Sequence, residues 1–164
     1  MNLFLLRHGL AVERTIPGFK LDRDRPLTSG GRKRIRRVAT LLHKVQGSFE
    51  VILTSPYVRA RQTAEIVADR LCGSKKLEIS EHLGPGKSFG GLMQELNHRA
   101  GLESILLVGH EPDLSQLISM LVTGKPGLPV ELKKGGLCKL EIGTLRAGHC
   151  ATLQWLMTPK LCLP

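Results

Sequence analysis

The chain is poor in aromatic side chains, short of acid and without a long apolar run. Phe, Tyr and Trp make up 4% of its 164 residues, so aliphatic side chains must fill the core. Base stacking on aromatic platforms, a common route to single-stranded nucleic acid, has little to work with. Asp and Glu number 14 against 24 Lys and Arg, a formal net charge of +10. That excess favours anionic partners: nucleic acid, phosphorylated protein, phosphorylated metabolites or acidic membranes. Charge alone does not choose among them. No segment approaches the roughly 20 apolar residues of a membrane-spanning helix. The opening run Leu3-Phe4-Leu5-Leu6 is stopped by Arg7, which is too short for a signal peptide. Cys72, Cys138, Cys150 and Cys162 form no Cys-x-x-Cys pair, and their spacing suits neither a zinc site nor a dense disulfide frame. These absences predict a soluble cytoplasmic protein with reduced thiols and no membrane partner.

What is present suits one domain over residues 1–164, with 41% apolar residues for its core. Asn2 to Leu6 reads as a buried strand ending at Arg7-His8-Gly9. Thr28 can cap a helix starting at Ser29 or Gly30, with Ile35, Val38, Ala39 and Leu42 on one face and Gly47 beyond its end. Val51 to Thr54 is a second strand, and Arg59 to Leu71 a second helix. Leu77 to Ile79 is a weak third strand, and Leu92 to Arg99 a helix. Ser104 to Val108 is the clearest buried strand, followed by a helix Leu114 to Leu121 capped by Asp113. Gly124 to Gly136 reads as a loop; Leu137 to Ile142 and Ala151 to Met157 read as tail strands; Pro159 and Pro164 limit regular structure after them. The alternation predicts an α/β fold, a mainly parallel sheet with helices on both faces and an antiparallel edge from the tail.

In such a sheet, ligands bind beyond the carboxyl ends of the strands. Arg7, His8, Arg59 and His110 all fall at that end and can converge there. A neutral imidazole is a good nucleophile near neutral pH. Planar guanidinium forks suit phosphate oxygens, and His110 can add a donor, becoming cationic beside a phosphate. Together these residues can take a phosphoryl group onto His8 and stabilise its charge in transfer. Gly9 leaves space beside His8, and its backbone can help orient the ring. Ser55 sits beside the site as a turn former with a pocket role. No ligand set here requires a metal.

Leu6-Arg7-His8-Gly9 resembles the signature of the histidine phosphatase superfamily, whose fold is phosphoglycerate mutase-like. Thr54-Ser55-Pro56-Tyr57-Val58-Arg59-Ala60-Arg61-Gln62-Thr63-Ala64 is similar to the family's second block, which implies that Arg59 binds phosphate. Val108-Gly109-His110-Glu111-Pro112 resembles the third block. Asp22-Arg23-Asp24-Arg25-Pro26-Leu27-Thr28, the short length and the tail Leu153 to Pro159 resemble the SixA-type branch, the protein-histidine phosphatases. The resemblance implies no cofactor and a monomer. It also implies that Arg25 lines the pocket mouth and meets substrate, with Asp22 orienting it.

An ester leaving group needs an acid, which in ester-cleaving members is a carboxylate after the third strand. Here Leu83-Gly84-Pro85 falls at that position, as in the SixA-type branch. Its absence favours N–P cleavage, because imidazole is a better leaving group than alkoxide. Glu81 and Glu111 are the possible acids if esters are cleaved. The expected function is therefore hydrolysis of phosphohistidine on protein through phosphorylated His8. A phosphomonoesterase for small phosphorylated metabolites is the alternative, and a non-catalytic phosphate- or nucleic-acid-binding module the second. Nucleic acid is disfavoured because no helix-turn-helix, zinc or RNP-type motif is present. His43, His82, His98 and His149 have no matching context, with His82 nearest the acid position. The run Arg32-Lys33-Arg34 with Arg36-Arg37 reads first as a solvated helix face, with a docking patch for an acidic or phosphorylated protein as the sharper reading.

Overall fold

The computed structural model describes residues 1–164 apart from 17, 72, 74, 75, 163 and 164. The expectations for Cys72 and Pro164 therefore lie outside the described residues, as does the side chain of Cys162. Cys138 and Cys150 are free thiols.

Six strands form one sheet: β1 (Asn2–Arg7), β2 (Val51–Thr54), β3 (Leu77–Ile79), β4 (Ser104–Gly109), β5 (Leu137–Ile142) and β6 (Ala151–Met157). Their order is β3-β2-β4-β1-β5-β6. The first four run parallel, while β5 and β6 add an antiparallel edge. Among the described residues four helices cover the sheet: α1 (Ser29–Val45), α2 (Val58–Leu71), α3 (Phe89–Asn97) and α4 (Asp113–Thr123). The fold is the expected α/β sandwich of three layers.

The layers follow from the two-residue period of the strands. Leu3 and Leu5 of β1, with Ile105 and Leu107 of β4, face one core with Leu92, Leu96, Leu114 and Leu117. Phe4 and Leu6, with Leu106 and Val108, face the other with Ile35, Leu42, Ala64 and Val67. β1 and β4 are thus apolar on both faces, as central parallel strands must be. On the second face Phe4 meets Phe49 and Trp155 edge-on at 5.1 and 5.8 Å.

The first helix boundary agrees with the sequence reading and the later ones differ. α1 starts at Ser29, and the Thr28 hydroxyl accepts from the Gly31 amide at 2.9 Å. α3 starts at Phe89 rather than Leu92, because Ser88 caps it by accepting from Gly91 N at 3.1 Å. Gly90 and Gly91 in its first turn hide that helix from a propensity argument. Asp113 is not the cap of α4 but its first residue. Its carboxylate instead accepts from Gly86 N at 3.0 Å. Short 3-10 turns that the sequence reading lacks occur at Asp22–Asp24, Glu81–Leu83 and Pro159–Cys162.

Candidate active site

Strand register assembles the site. Arg7 pairs with Gly109 across β1 and β4, so the next residues, His8 and His110, leave the sheet side by side. Their rings lie 5.0 Å apart. Thr54 of β2 pairs with Val108, which sets Ser55 beside Gly109. The ladder continues past the strands: His8 N donates to Gly109 O at 3.1 Å, and Ser55 N to Val108 O at 3.0 Å. Arg59 enters from the first turn of α2. Three strand ends and one helix start thus meet at a cleft of about 890 Å3, lined among others by Arg7, His8, Arg25, Arg59 and His110.

The hydrogen bonds assign the His8 tautomer. Arg59 Nε can only donate, and it lies 3.2 Å from His8 Nε2. Nε2 therefore holds a lone pair. Nδ1, 2.8 Å from the Gly9 carbonyl, carries the proton. The ring is neutral: burial, outweighing the Gly9 hydrogen bond, together with the charges of Arg59, Arg7 and Lys134, pushes the His8 pKa down to about 3. His110 is lowered to about 3 as well, by burial first and then by His8 and Arg59. His110 is thus uncharged in the fold. Its Nε2 lies 2.8 Å from Ser55 Oγ, which also accepts from Tyr57 N at 3.2 Å. His110 Nδ1 and Arg7 Nε are buried without a hydrogen-bond partner among the described residues.

The cationic groups are held in place by main chain and by one carboxylate. Arg7 donates to the Leu132 carbonyl at 2.7 Å. Arg59 donates to the Asp22 carbonyl at 2.8 Å and to its carboxylate at 3.0 Å. The same carboxylate accepts from Arg25 at 2.7 and 2.9 Å and from Arg14 at 2.7 Å. Partial burial opposes its charge. The Arg25 hydrogen bond and the charges of Arg59 and Arg25 outweigh that and hold the Asp22 pKa at about 2. Asp22 hydrogen-bonds Arg25 and Arg59 at once. It is a hub of arginines rather than a group free to meet substrate.

A scan against family models matches residues 3–84 to the histidine phosphatase superfamily (branch 1). Phosphohistidine phosphatase SixA of Escherichia coli is 30% identical over 162 residues, 97% of this chain and 94% of that protein. An uncharacterized protein of Picosynechococcus sp. is 38% identical over 168 residues, covering 100% of both. The solved structure of the protein histidine phosphatase SixA with tungstate superposes with a TM-score of 0.84 at 27% identity, over 98% of this chain and 99% of that one.

The chain belongs to the histidine phosphatase superfamily. It is a phosphatase of the SixA-type branch. Within this phosphatase, several residues stand elsewhere than the sequence reading put them. Gly9 does not line the cleft. A Cβ there would lie 2.8 Å from the Ile35 side chain, so the glycine admits α1 rather than substrate. Its backbone does orient His8 through the carbonyl, and its amide donates to Thr63 Oγ1 at 3.1 Å. Ser55 is fully buried and partners His110. Arg25 lines the cleft mouth. Glu81 is exposed and lines a neighbouring groove with Arg23 and Arg61, outside the cleft. Glu111 does line the cleft, but its carboxylate accepts from Ser115 Oγ and from Leu132 N at 3.3 Å. Of the Leu83-Gly84-Pro85 stretch, Pro85 lines the cleft. His82 lies in a separate cavity of about 250 Å3.

Five residues at the site have no role in the sequence reading. Tyr57 packs its ring against His110 at 5.1 Å and under the Arg59 guanidinium at 4.9 Å. Thr63, one helical turn past Arg59, links Gly9 N to the Arg59 carbonyl. Lys134 lines the cleft from the long loop, and Gly135 N in that loop donates to the carbonyls of Arg7 and His8 at 3.1 Å. Leu132 supplies the carbonyl for Arg7. Tyr57 and Thr63 lie inside the second block and were legible there; Leu132 and Lys134 reach the site only through the path of the loop. Among the described residues, no group of three or more His, Cys, Asp or Glu is placed to hold a metal ion. None of the described helices is long and apolar enough to cross a membrane.

Proposed function

We propose that this phosphatase hydrolyses phosphohistidine on protein, with His8 as nucleophile and Arg7, Arg59 and His110 as the groups that hold the phosphoryl. The observation that carries the reaction is the state of His8. It is a neutral ring, with its proton on Nδ1 and its Nε2 lone pair beside Arg59. Arg59 Nε–H gives up His8 Nε2 for a phosphoryl oxygen, and the freed lone pair attacks phosphorus in line; the P–Nε2 bond forms as the bond to the substrate imidazole breaks. A substrate ring protonated on its other nitrogen leaves as neutral imidazole, so the protein need supply no acid. His8 then carries phosphoryl on Nε2 and keeps Nδ1–H on the Gly9 carbonyl, which supports the cationic ring. Water attacks next, the bonding pair returns to Nε2, and inorganic phosphate departs with the water's proton on a phosphate oxygen. Arg7, Arg59 and His110 direct their donors at the transferring group throughout.

The substrate class is supported by Pro85 in the acid's position, by the outward placement of Glu81 and by the bonded state of Glu111. Glu13 also lines the cleft, on its exposed rim. The reading takes the protein as a metal-independent, cytoplasmic monomer that acts in signalling between proteins.

The test is a substrate panel with wild type and His8→Ala. Protein phosphohistidine should be cleaved much faster than phosphoserine or sugar phosphates, and equally well after chelator treatment. The wild type should yield an acid-labile, base-stable phosphoenzyme that His8→Ala lacks. Equal or faster turnover of esters, sharply slowed by Glu13→Gln or Glu111→Gln, would overturn the substrate assignment.

A further inference from the structure

The reaction leaves one feature of the sequence unused, the basic run of α1. The core takes Ile35, Val38, Ala39 and Leu42 of this helix, and Lys33, Arg36, Arg37 and Lys44 are exposed. At 3.6 residues per turn those four cations fall within about 100° of arc and span about 16 Å. α1 contains no acidic residue. None of its cations forms an ion pair among the described residues, although ion pairs occur elsewhere on the surface. Like charges stacked on one helix face repel, so a stripe with no counter-charge is a local cost to the fold. It is also a field directed outwards.

Helix α1 starts at the cleft. Thr28, the cap of α1, lines the cleft, and its amide donates to the Leu10 carbonyl at 2.9 Å. Leu10, Ile16, Phe19 and Leu21 are all exposed on the neighbouring segment, and Leu10 and Ile16 line the cleft. An apolar patch next to a charged flank is the anatomy of a protein interface. It offers little to a nucleic acid backbone, and Phe19 is its only aromatic.

We infer that the α1 stripe docks an acidic face of the phosphorylated protein while the phosphohistidine enters the cleft. The inference rests on the substrate reading above and adds a location and a charge for the partner. Complementary charge at that place raises the encounter rate and orients the partner, and its effect falls with salt.

The experiment compares two substrates, an acidic phosphotransfer domain phosphorylated on histidine and free phosphohistidine. The variants are Lys33→Glu/Arg36→Glu/Arg37→Glu and the neutral Lys33→Gln/Arg36→Gln/Arg37→Gln. On the domain, kcat/KM should fall about 10-fold or more for the reversed variant and less for the neutral one. On free phosphohistidine both variants should match wild type. Raising salt should slow wild type on the domain and leave the reversed variant nearly unchanged. Unchanged turnover of the domain, or a parallel loss on both substrates, overturns the docking role. A DNA duplex that binds wild type but not the variants, with turnover of the domain intact, assigns the stripe to nucleic acid and overturns it too. Failure of wild type to cleave either phosphohistidine substrate while it cleaves esters is a different result. It removes the substrate reading, and the docking inference with it.

Discussion

At the scale of single residues, the orientation of His8 and the anchoring of Arg59 depend on hydrogen bonds already made within the fold. His8 has one nitrogen on the Gly9 carbonyl and the other beside Arg59, so rotation of the ring costs both contacts. His110 depends on Ser55, a fully buried side chain with a hydroxyl 2.8 Å from its Nε2. Ser55→Ala leaves that nitrogen unpaired in a buried setting, a penalty of about 1–3 kcal/mol in whichever state needs the bond. If His110 aids the transferring phosphoryl, Ser55→Ala should lower kcat by about 10-fold or more while KM moves little. Steady-state kinetics on a phosphohistidine substrate read that split. Arg59→Lys is the harsher change, because a lysine cannot reach His8, the Asp22 carbonyl and the Asp22 carboxylate together. Its turnover should fall by about 10²-fold or more.

At the scale of elements, the junction of α1 with the segment after β1 couples stability to the site. Thr28→Ala removes the cap bond to Gly31 N and should cost about 1 kcal/mol in denaturant unfolding. Gly31→Ala is different in kind. Its Cβ would lie 2.1 Å from the Leu10 carbonyl oxygen, so Leu10 and its neighbours must move. That variant should lose about 1–3 kcal/mol and also raise KM, since Leu10 lines the cleft. Unchanged KM in a folded Gly31→Ala protein would show that the segment relaxes away from the cleft. The same junction shows what was legible in the sequence. Thr28, the apolar stripe of α1 and the strands follow from period and capping, because each is encoded within a few neighbours; that Arg7, His8, Arg59 and His110 meet follows from their places at strand ends and from the motif blocks, not from local pattern. Gly9 was read as leaving space beside His8, but the side chain that fills that space, Ile35, lies 26 positions away in the chain. Leu132 and Lys134 were invisible for the same reason: a loop rich in Gly, Pro and Lys has no period, so its path is decided by tertiary contacts. The Asp22 hub was half legible. Its partner Arg25 is local, but Arg59 is not.

At the scale of the whole molecule, the site imposes a dependence of stability on pH. His8 and His110 sit near pKa 3 in the fold, both chiefly through burial, against 6.5 for the free side chain. Below pH 6.5 the unfolded chain gains protons at these two positions that the native protein does not bind. Stability from the pair is therefore complete above pH 6.5 and is lost as pH falls towards 3. Each histidine contributes at most about 2 kcal/mol of that loss by pH 5, at roughly 1.4 kcal/mol per pH unit below 6.5. Asp22 has the opposite chemistry and a separate window. Its folded pKa of about 2 gives stability that is intact above 3.8 and lost only below it. Between pH 7.5 and 5 the histidines thus act without it. Urea unfolding of wild type and of His8→Gln/His110→Gln over that range isolates them, because every other titrating group is common to both. Wild type should lose more stability than the variant on acidification, with the difference opening below pH 6.5. Parallel curves would mean that the cleft admits protons to both rings in the folded state. The neutral nucleophile on which the proposed chemistry depends would then not survive mild acid.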